Sequence, residues 1–471
     1  MAYDGSSEAV LANWDAVLKD YYLPAIQDYI GQSKILSSLI EVNEKDVSGR
    51  KALIQNKVGG STGFGARKDG EALPSASYQK FKTNEVNMKY NYGVVAFSGP
   101  TIRATRELQG SYAKVVETEI EGIVEDVAKD INRQMWGAGY GIISRWRSGT
   151  ADPYTVQKRY FSNSAGGDGF GSTFGAKYLK RYNTANVVTC TFSSGCTAAA
   201  VDDTEMTIPL TGSIDTSEAY YDTLGTTHTD PAPSPGEAAG TFLIRVDNMD
   251  SLTSASVAGA GRKEMMGLRG IVTDTNLDDI TFTDGTSANT GFAAASAPAE
   301  DPLQGLSVDS YGWFKSEVNS HSSGRYQGQR SLSLSLMQTM FDNIEDATAD
   351  GSPPEIILTT KAIRREYIDL MSTQKRFVDT MDIDGGWKGI SYNGVFFGTD
   401  IDAIDGEMYF LTLSDLQLYR MSDYEWMRED GSVLSRVKGY DAYDATFFRY
   451  AELGVNNRAT QGVITDLSYT L

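Results

Sequence analysis

The stretch GGSTGFGARKDGEALP, Gly59–Pro74, carries four glycines in its first seven residues, followed by Arg67 and Lys68. Glycines beside basic residues are the raw material of a phosphate cradle, in which backbone N–H groups approach the anion and a lysine neutralises it. The G-x-x-x-x-G-K-[ST] loop needs Lys and then Ser or Thr after its last glycine, with a helix starting there. Gly60–Gly65 has the glycine spacing, but Ala66 and Arg67 stand in those two places. Lys68, Asp69, Gly70, Glu71 and Pro74 then lead into a strand pattern, so no helix N-terminus faces the loop. The stretch therefore reads as a flexible loop with left-handed backbone positions.

Two other groups of residues invite a chemical reading. DIDAIDGE, Asp400–Glu407, has the acid density of a calcium loop. An EF-hand places oxygen ligands at positions 1, 3 and 5, Gly at 6 and Glu at 12. Counted from Asp400, those last three places hold Ile404, Asp405 and Leu411, so a polar turn between strands is expected instead. The chain has two cysteines, Cys190 and Cys196, and two histidines, His228 and His321. This set is too dispersed for a zinc site. The cysteines are expected as reduced thiols, with a pairing across the short loop as the alternative. Among 62 acidic residues no pair stands out as a hydrolytic couple. No catalytic, cofactor-binding or metal-ligating residue is assigned, and no enzyme is expected.

The formal net charge of −20 argues against general nucleic-acid binding, which draws its affinity from Lys and Arg displacing counterions. The opening MAYDGSSEAVLANWDAVLKD has early acids and no apolar run, which predicts no signal peptide and a cytoplasmic site of synthesis. No stretch reaches the ~18 apolar residues of a membrane helix.

The elements that position these residues follow from hydrophobic periodicity. Val10, Trp14, Val17, Leu18 and Tyr21 predict a helical arm, interrupted at Pro24 and Gly31, with an apolar stripe at Ile35, Leu36, Leu39 and Ile40. Val86, Met88, Tyr90, Tyr92 and Val94 alternate with polar or small residues, which predicts a strand with one apolar face. Lys51–Lys57 is its expected partner, with the glycine-rich stretch closing a long exposed hairpin. Between Arg106 and Trp136 the residues Val116, Ile120, Ile123, Val127, Ile131 and Met135 recur every three or four positions. Acids together with Lys114, Lys129 and Arg133 fill the remaining, solvated face of this rod, and GAGYG, Gly137–Gly141, ends it. From about Arg147 to Gln327 a Gly, Ser, Thr, Ala and Asp-rich region predicts an inserted, strand-rich unit, with strands at Asn186–Phe192 and Thr241–Val246 and a loop at Thr227–Gly240.

A helix follows Ser333, with Leu336, Met337, Met340, Phe341 and Ile344 inward, then a buried strand at Glu355–Leu358. Thr359 or Thr360 is expected to cap the next helix, through Ile363, Tyr367, Leu370 and Met371. Strands are predicted at Gly394–Gly398, Met408–Leu413 and Asp415–Arg420, then a long strand, a turn at Asn456 and Asn457, and a final strand. The class is α+β. Trp14, Trp136, Trp387 and Trp426 are expected as core or interface anchors.

An arm and an extended loop bury little within their own chain, and gain stability by lying on neighbouring copies. The order of elements resembles the major capsid protein of tailed bacteriophages, the Hong Kong 97-like capsid fold. VLKDYYLPAIQDYIGQSKILSSLIE, Val17–Glu41, is similar to that family's N-terminal arm, and GGSTGFGARKDGEALPSASYQKFK, Gly59–Lys82, to its extended loop. VNMKYNYGVVAFSGPTIRAT and ETEIEGIVEDVAKDINRQMWGAG are similar to the return strand and spine helix of the peripheral domain. MMGLRGIV, Met265–Val272, and DGSPPEIILTTKAIRREYIDLM, Asp350–Met371, resemble parts of the axial domain. RYAELGVNNRATQGVITDL, Arg449–Leu467, resembles the closing peripheral strands.

The resemblance implies an arm over 1–50, an extended loop over 51–97 and a peripheral domain with its spine helix over 98–146. It continues with an inserted β-rich region and the start of the axial domain over 147–327, the axial domain over 328–420, and peripheral return strands over 421–471. It also implies hexamers and pentamers that close an icosahedral shell around double-stranded DNA, a virion location, and assembly in the host cytoplasm. The expected partners are copies of the chain itself and scaffolding, portal and decoration proteins, with no membrane and no specific DNA contact. Inter-subunit contact candidates are Arg67, Lys68, Glu71, Lys80, Lys82 and Trp14. Some family members cross-link a loop lysine to a neighbour's asparagine; Lys68, Lys80 and Lys82 match by location only, and that chemistry is not expected here. Alternative readings are an encapsulin-type compartment, a cytosolic hydrolase, and a surface adhesion protein with a carbohydrate-binding β-rich unit.

Overall fold

The computed structural model describes residues 35–99, 123, 127, 129–139, 142–148, 154–157, 187–191, 221–224, 241–245, 264–274, 303–321, 330–348, 351, 353–373, 380–383, 387–427, 435–437 and 439–468. The arm expected before Ile35, including Trp14, lies outside them, as do most of the rod before Ile123, the Thr227–Gly240 loop, His228 and Cys196. Cys190 lies on a strand, opposite Phe242.

Strands Lys51–Gly59 and Lys80–Asn87 form the expected hairpin, antiparallel from Lys51↔Asn87 to Gly59↔Lys80, with the short strand Val47–Ser48 at its side. Residues 60–79 between them have no helix or strand. At Met88 the chain changes partners. The Met88 N–H still donates to Arg50 O at 3.0 Å. The next strand, Lys89–Ser98, then pairs with Ala442–Val455 in a second sheet.

This transfer corrects the single apolar face expected from Val86 to Val94. Val86 and Met88 are buried with Ala52 and Tyr419. Tyr90, Tyr92 and Val94 are 43%, 56% and 55% exposed. A strand has a two-residue period, so a break at Met88 exchanges the inner and outer sets. Gly93 and Val95 now face inward, and a Cβ on Gly93 would lie 2.3 Å from Phe447 Cε1.

The second sheet has five strands. Glu41–Asn43 runs parallel to Leu416–Trp426, which pairs antiparallel with Ala442–Val455; Ser435–Arg436 and Lys89–Ser98 both pair with that long strand. Its inner residues Val95, Trp426, Ala445, Phe447, Ala451 and Leu453 are buried. Most of them join one core with Ile131, Met135 and Trp136, against which Ile123 and Val127 pack. The inward helical stripe is therefore as its spacing predicts for Ile123, Val127, Ile131 and Met135. Arg133 is not on a solvated face, as expected, but 1% exposed, and Asn132 and Gln134 are buried as well. The last turns of this helix are enclosed because the segment 264–272 covers their other side. The Gly137 N–H ends the helix by donating to Arg133 O at 3.1 Å and Gln134 O at 3.0 Å.

Gly267 sits where these backbones meet. A Cβ there would lie 2.3 Å from Gln134 O and 2.6 Å from Gly137 N. Both are main-chain atoms that no rotamer change can move aside. Gly267→Ala is expected to destabilise the protein by about 1–3 kcal/mol, the cost of overpacking a filled site. Thermal unfolding of the variant beside wild type checks this, and an unchanged midpoint would contradict the close approach.

The third sheet has seven strands, in the order Glu317–Asn319, Gly462–Ile464, Met408–Leu411, Ile356–Thr359, Val395–Thr399, Trp387–Tyr392 and Thr380–Ile383. It is mixed: Ile356–Thr359 is antiparallel to Met408–Leu411 and parallel to Val395–Thr399. IILT and MYFL are buried at every position, which explains why they read as unbroken apolar runs. Helix Leu334–Ala347 supplies Met337, Met340, Phe341 and Ile344 to this core, and helix Lys361–Thr373 supplies Ile363, Tyr367 and Met371. The Ser333 hydroxyl caps the first helix by accepting from Leu336 N at 3.1 Å. The threonine cap expected for the second is not made. Thr359 ends a buried strand and donates to Glu407 O at 2.8 Å, while the buried Thr360 hydroxyl has no partner.

A fourth sheet has five strands, in the order Val187–Thr191, Thr241–Arg245, Ile142–Ser148, Tyr154–Gln157 and Tyr221–Leu224. Two of these lie where β-type runs were expected. Ile142–Ser148 begins before Arg147. The later pieces 264–274 and 303–321 join the main core through Met265, Leu268, Ile271, Leu303, Leu306 and Phe314.

Candidate inter-subunit surface

The glycine-rich stretch projects from the hairpin as a loop with its own internal ties. Ser61 Oγ accepts from Gly63 N at 3.1 Å and donates to Ser77 O at 3.0 Å, drawing the two limbs together. At the tip, Lys68 N donates to Glu71 Oε2 at 2.9 Å and Glu71 N donates to Lys68 O at 3.1 Å. Gly70 completes this turn with a φ of 81°, which suits glycine. Glu71 thus shapes the tip, while Arg67 and Lys68 are exposed beside it.

The loop's apolar side chains are its most informative feature. Phe64, Leu73 and Tyr78 are each 85% exposed, and Phe81 is 64% exposed. Burial of such a side chain is worth about 1.5–3 kcal/mol. Three of them on one loop, left in water by their own chain, are a surface suited to being covered. Composition already displayed these residues. Their exposure was legible only as the absence of any periodic element between Gly60 and Gln79.

The other predicted contact residues separate. Lys80 is exposed where the loop rejoins the hairpin ladder, opposite Gly59. Lys82 places its ammonium 4.8 Å from the centroid of the Tyr311 ring on its own chain. A cation held over an aromatic face in this way contributes about 0.5–1 kcal/mol at an exposed site.

Exchange of faces at Met88 creates a second surface that the sequence reading missed. On the outer side of the five-stranded sheet, Tyr90 lies directly across from Tyr450, and Tyr92 from Phe448. Tyr450 meets Tyr90 and Tyr92 edge-on, at 4.9 Å and 6.1 Å between centroids, and Phe448 in a tilted contact at 4.8 Å. Tyr92 Oη donates to Tyr450 Oη at 3.4 Å. The neighbouring Tyr92 hydroxyl, with burial, pushes the Tyr450 phenol up to about 12. Glu425 pairs across from Phe448 on one side, and Asp444 from Ala96 on the other, so carboxylates border the aromatic patch. The available signal was the i, i+2 spacing of Thr446, Phe448 and Tyr450 set beside Tyr90, Tyr92 and Val94.

Behind this sheet, polar side chains fix the helix end. Arg133 ion-pairs with the buried Glu264 and with Asp130 at 3.0 Å. Gln134 donates to Asp130 at 2.7 Å and accepts from Met265 N at 3.2 Å, and Glu452 accepts from Met266 N at 2.6 Å. DIDAIDGE is a turn between strands, as expected, but a buried one. Asn132 donates to Asp400 at 3.1 Å and Asp402 at 2.5 Å, so the acids anchor the helix. Among the described residues no group of His, Cys, Asp and Glu could hold a metal ion. No described helix is long and apolar enough to cross a membrane.

Where the chain passes between the second and third sheets, its two crossings are joined. Thr412 N donates to Gln461 Oε1 at 3.1 Å and Gln461 Nε2 returns a bond to Thr412 O at 3.0 Å. Thr460 Oγ1 donates to Asp415 at 2.8 Å; burial raises the Asp415 pKa against that bond.

No family model and no curated protein matches the chain. Solved structures similar to it include the capsid asymmetric unit of cyanophage A-1(L), 13% identical, covering 92% of each chain with a TM-score of 0.47. The capsid of Myoviridae phage XM1 is 8% identical over 92% of this chain and 91% of its own, with a TM-score of 0.36. The holo-SrpI encapsulin complex of Synechococcus elongatus PCC 7942 is 11% identical, covers 33% of this chain and 55% of its own, and has a TM-score of 0.25. Phage capsid proteins are thus among the structural neighbours of this α+β chain.

Proposed function

We propose that this chain is the major capsid subunit of a tailed phage, a structural protein without catalytic activity. Copies would assemble as hexamers and pentamers into an icosahedral shell around double-stranded DNA. The observation that carries this reading is the loop of residues 60–79, which exposes Phe64, Leu73 and Tyr78 in a chain whose element order resembles the Hong Kong 97-type capsid protein. On this reading residues 1–50 are the arm and 51–97 the extended loop. Residues 98–146 with the return strands of 421–471 are the peripheral domain, 147–327 the inserted β-rich region and start of the axial domain, and 328–420 the axial domain. Arg67, Lys68, Glu71, Lys80, Lys82 and Trp14 are its candidate contacts between subunits.

A net charge of −20 suits a wall that encloses DNA without holding it, since tight binding to the phosphates would oppose packaging and release. Scaffolding, portal and decoration proteins are the partners such a subunit would meet, in a virion assembled in the host cytoplasm. Expression of the full chain, with a scaffolding partner supplied, followed by sedimentation and negative-stain microscopy tests the reading. Closed shells of uniform diameter are expected. A soluble monomer that persists under assembly conditions would overturn it.

A further inference from the structure

Independently of the shell reading, we infer that the N-terminus of the helix Lys361–Thr373 binds a single free oxyanion of the phosphate class. The site begins with topology. Strand Ile356–Thr359 runs parallel to Val395–Thr399, and its carboxyl end leads directly into the helix. Thr360 alone lies between them, and its carbonyl accepts the first helical bond, from Arg364 N at 3.1 Å. In α/β sheets ligands gather outside the carboxyl ends of parallel strands, and a helix starting there turns its N–H groups toward an anion.

Thr360 therefore holds the capping position, where a hydroxyl ordinarily accepts from an N–H of the first turn. It makes no such bond. Thr360 is 3% exposed and its hydroxyl has no partner, while the Thr359 hydroxyl is committed to Glu407 O at 2.8 Å. No hydrogen bond among the described residues takes up the N–H groups of Lys361, Ala362 and Ile363. A buried hydroxyl and first-turn donors left unpaired are groups that an acceptor oxygen would satisfy.

The side chains point the same way. The helix opens KAIRR, with Lys361, Arg364 and Arg365 and no acid in its first turn. Cations there oppose the helix dipole, whose positive end favours negative charge. Arg364 Nε is itself buried without a partner, and none of the three forms an ion pair among the described residues. Asp400, which follows the neighbouring strand, has its carboxylate engaged by Asn132 and by Asp402 N at 2.8 Å. A small anion suits these groups better than a nucleic acid. The donors belong to one helix end, and a chain of net charge −20 repels a polyanion while local cations still attract a single phosphate.

Equilibrium dialysis of the full chain against phosphorus-33 orthophosphate, at constant ionic strength set with chloride, tests the site. Saturable binding of one orthophosphate per chain is expected, with a dissociation constant of about 1 mM or tighter. Thr360→Val removes the hydroxyl at nearly constant shape and should weaken binding about tenfold, the effect of one hydrogen bond to a charged group. In phosphate-free buffer the same variant should unfold at the wild-type temperature or above, because it loses no hydrogen bond. A hydroxyl serving only as a cap would lower that temperature on removal. Arg364→Gln should also weaken binding about tenfold. Sulfate should compete, and a short DNA duplex should not. Binding unchanged in either variant, binding only above about 10 mM, displacement by the duplex, or earlier unfolding of Thr360→Val without phosphate would each overturn the site. None of these readouts depends on shells, so the site and the capsid reading can fail separately.

Discussion

Arg133→Met is expected to lower the unfolding free energy by about 3–5 kcal/mol, the cost of removing one partner from a buried ion pair. Arg133 is 1% exposed in the last turn of the helix that ends at Trp136, where its guanidinium reaches Glu264 and Asp130. Methionine approximates the volume, so the loss is electrostatic. The Glu264 carboxylate is left in a site that water barely reaches, with its principal counter-charge gone. Asp130 loses less, being more exposed. The same region holds Gln134 on Met265 N and Glu452 on Met266 N, so a stranded charge at 264 disturbs the docking of 264–272 on the helix. Replacing both partners, Arg133→Met with Glu264→Met, should recover most of the loss, because no uncompensated charge remains. Urea unfolding of the single and double variants decides the matter. A single variant within 1 kcal/mol of wild type would mean that water reaches the pair. Equal losses in both would mean that packing, not charge, is responsible.

The burial of Arg133 also shows what periodicity conveys and what it leaves out. Ile123, Val127, Ile131 and Met135 announced one buried helix face, because a 3.6-residue period has that signature in any sequence. Nothing local announced that Asn132, Arg133 and Gln134 would be covered from the other side. Their cover comes from residues 264–272 and from Asp400 and Asp402, more than a hundred positions away in the chain. Polar residues on a helix read as solvated until a partner is known, and the partner is a tertiary fact.

Strands show the same division. IILT and MYFL were legible as buried strands, since an apolar run flanked by turn residues has few other uses. The alternation from Val86 to Val94 was legible as a strand, but its facing was not. The pattern remains in phase across Met88 while the chain leaves one sheet for another, so half of the apolar set turns outward. Apolar strand positions whose exposure contradicts their pattern are where local reasoning fails, and such failures gather at functional sites. The loop residues Phe64, Leu73 and Tyr78 have that character too. The candidate surface was half visible from the sequence, as a glycine-rich loop with a basic tip. The acidic, aromatic half emerged only from strand pairing between Lys89–Ser98 and Ala442–Val455.

Deletion of residues 60–77 is expected to leave the fold intact and to abolish closed shells. The loop has no helix or strand, and its described bonds run mainly within itself, through Ser61 to Ser77 and Lys68 to Glu71. The hairpin beneath it is held independently by the ladder from Lys51↔Asn87 to Gly59↔Lys80, and by Ala52 and Val86 packed with Tyr419. Joining Gly59 to Tyr78 leaves a short connection between antiparallel strands, well within the lengths that hairpins use. Loop shortening changes closure entropy only slowly with length, so the monomer's stability should shift by about 1 kcal/mol or less. Assembly should respond quite differently. Phe64 and Leu73 leave with the deleted segment, as do Arg67 and Lys68, and the loss is repeated at every contact around a ring. An association that depends on many equal contacts fails sharply when each weakens by a few kcal/mol. Circular dichroism and thermal unfolding would report the retained fold, and sedimentation with microscopy the missing shells. Unfolding of the deleted chain would show that the loop belongs to the monomer's own core. Normal shells would show that the exposed apolar side chains serve some purpose other than holding copies together.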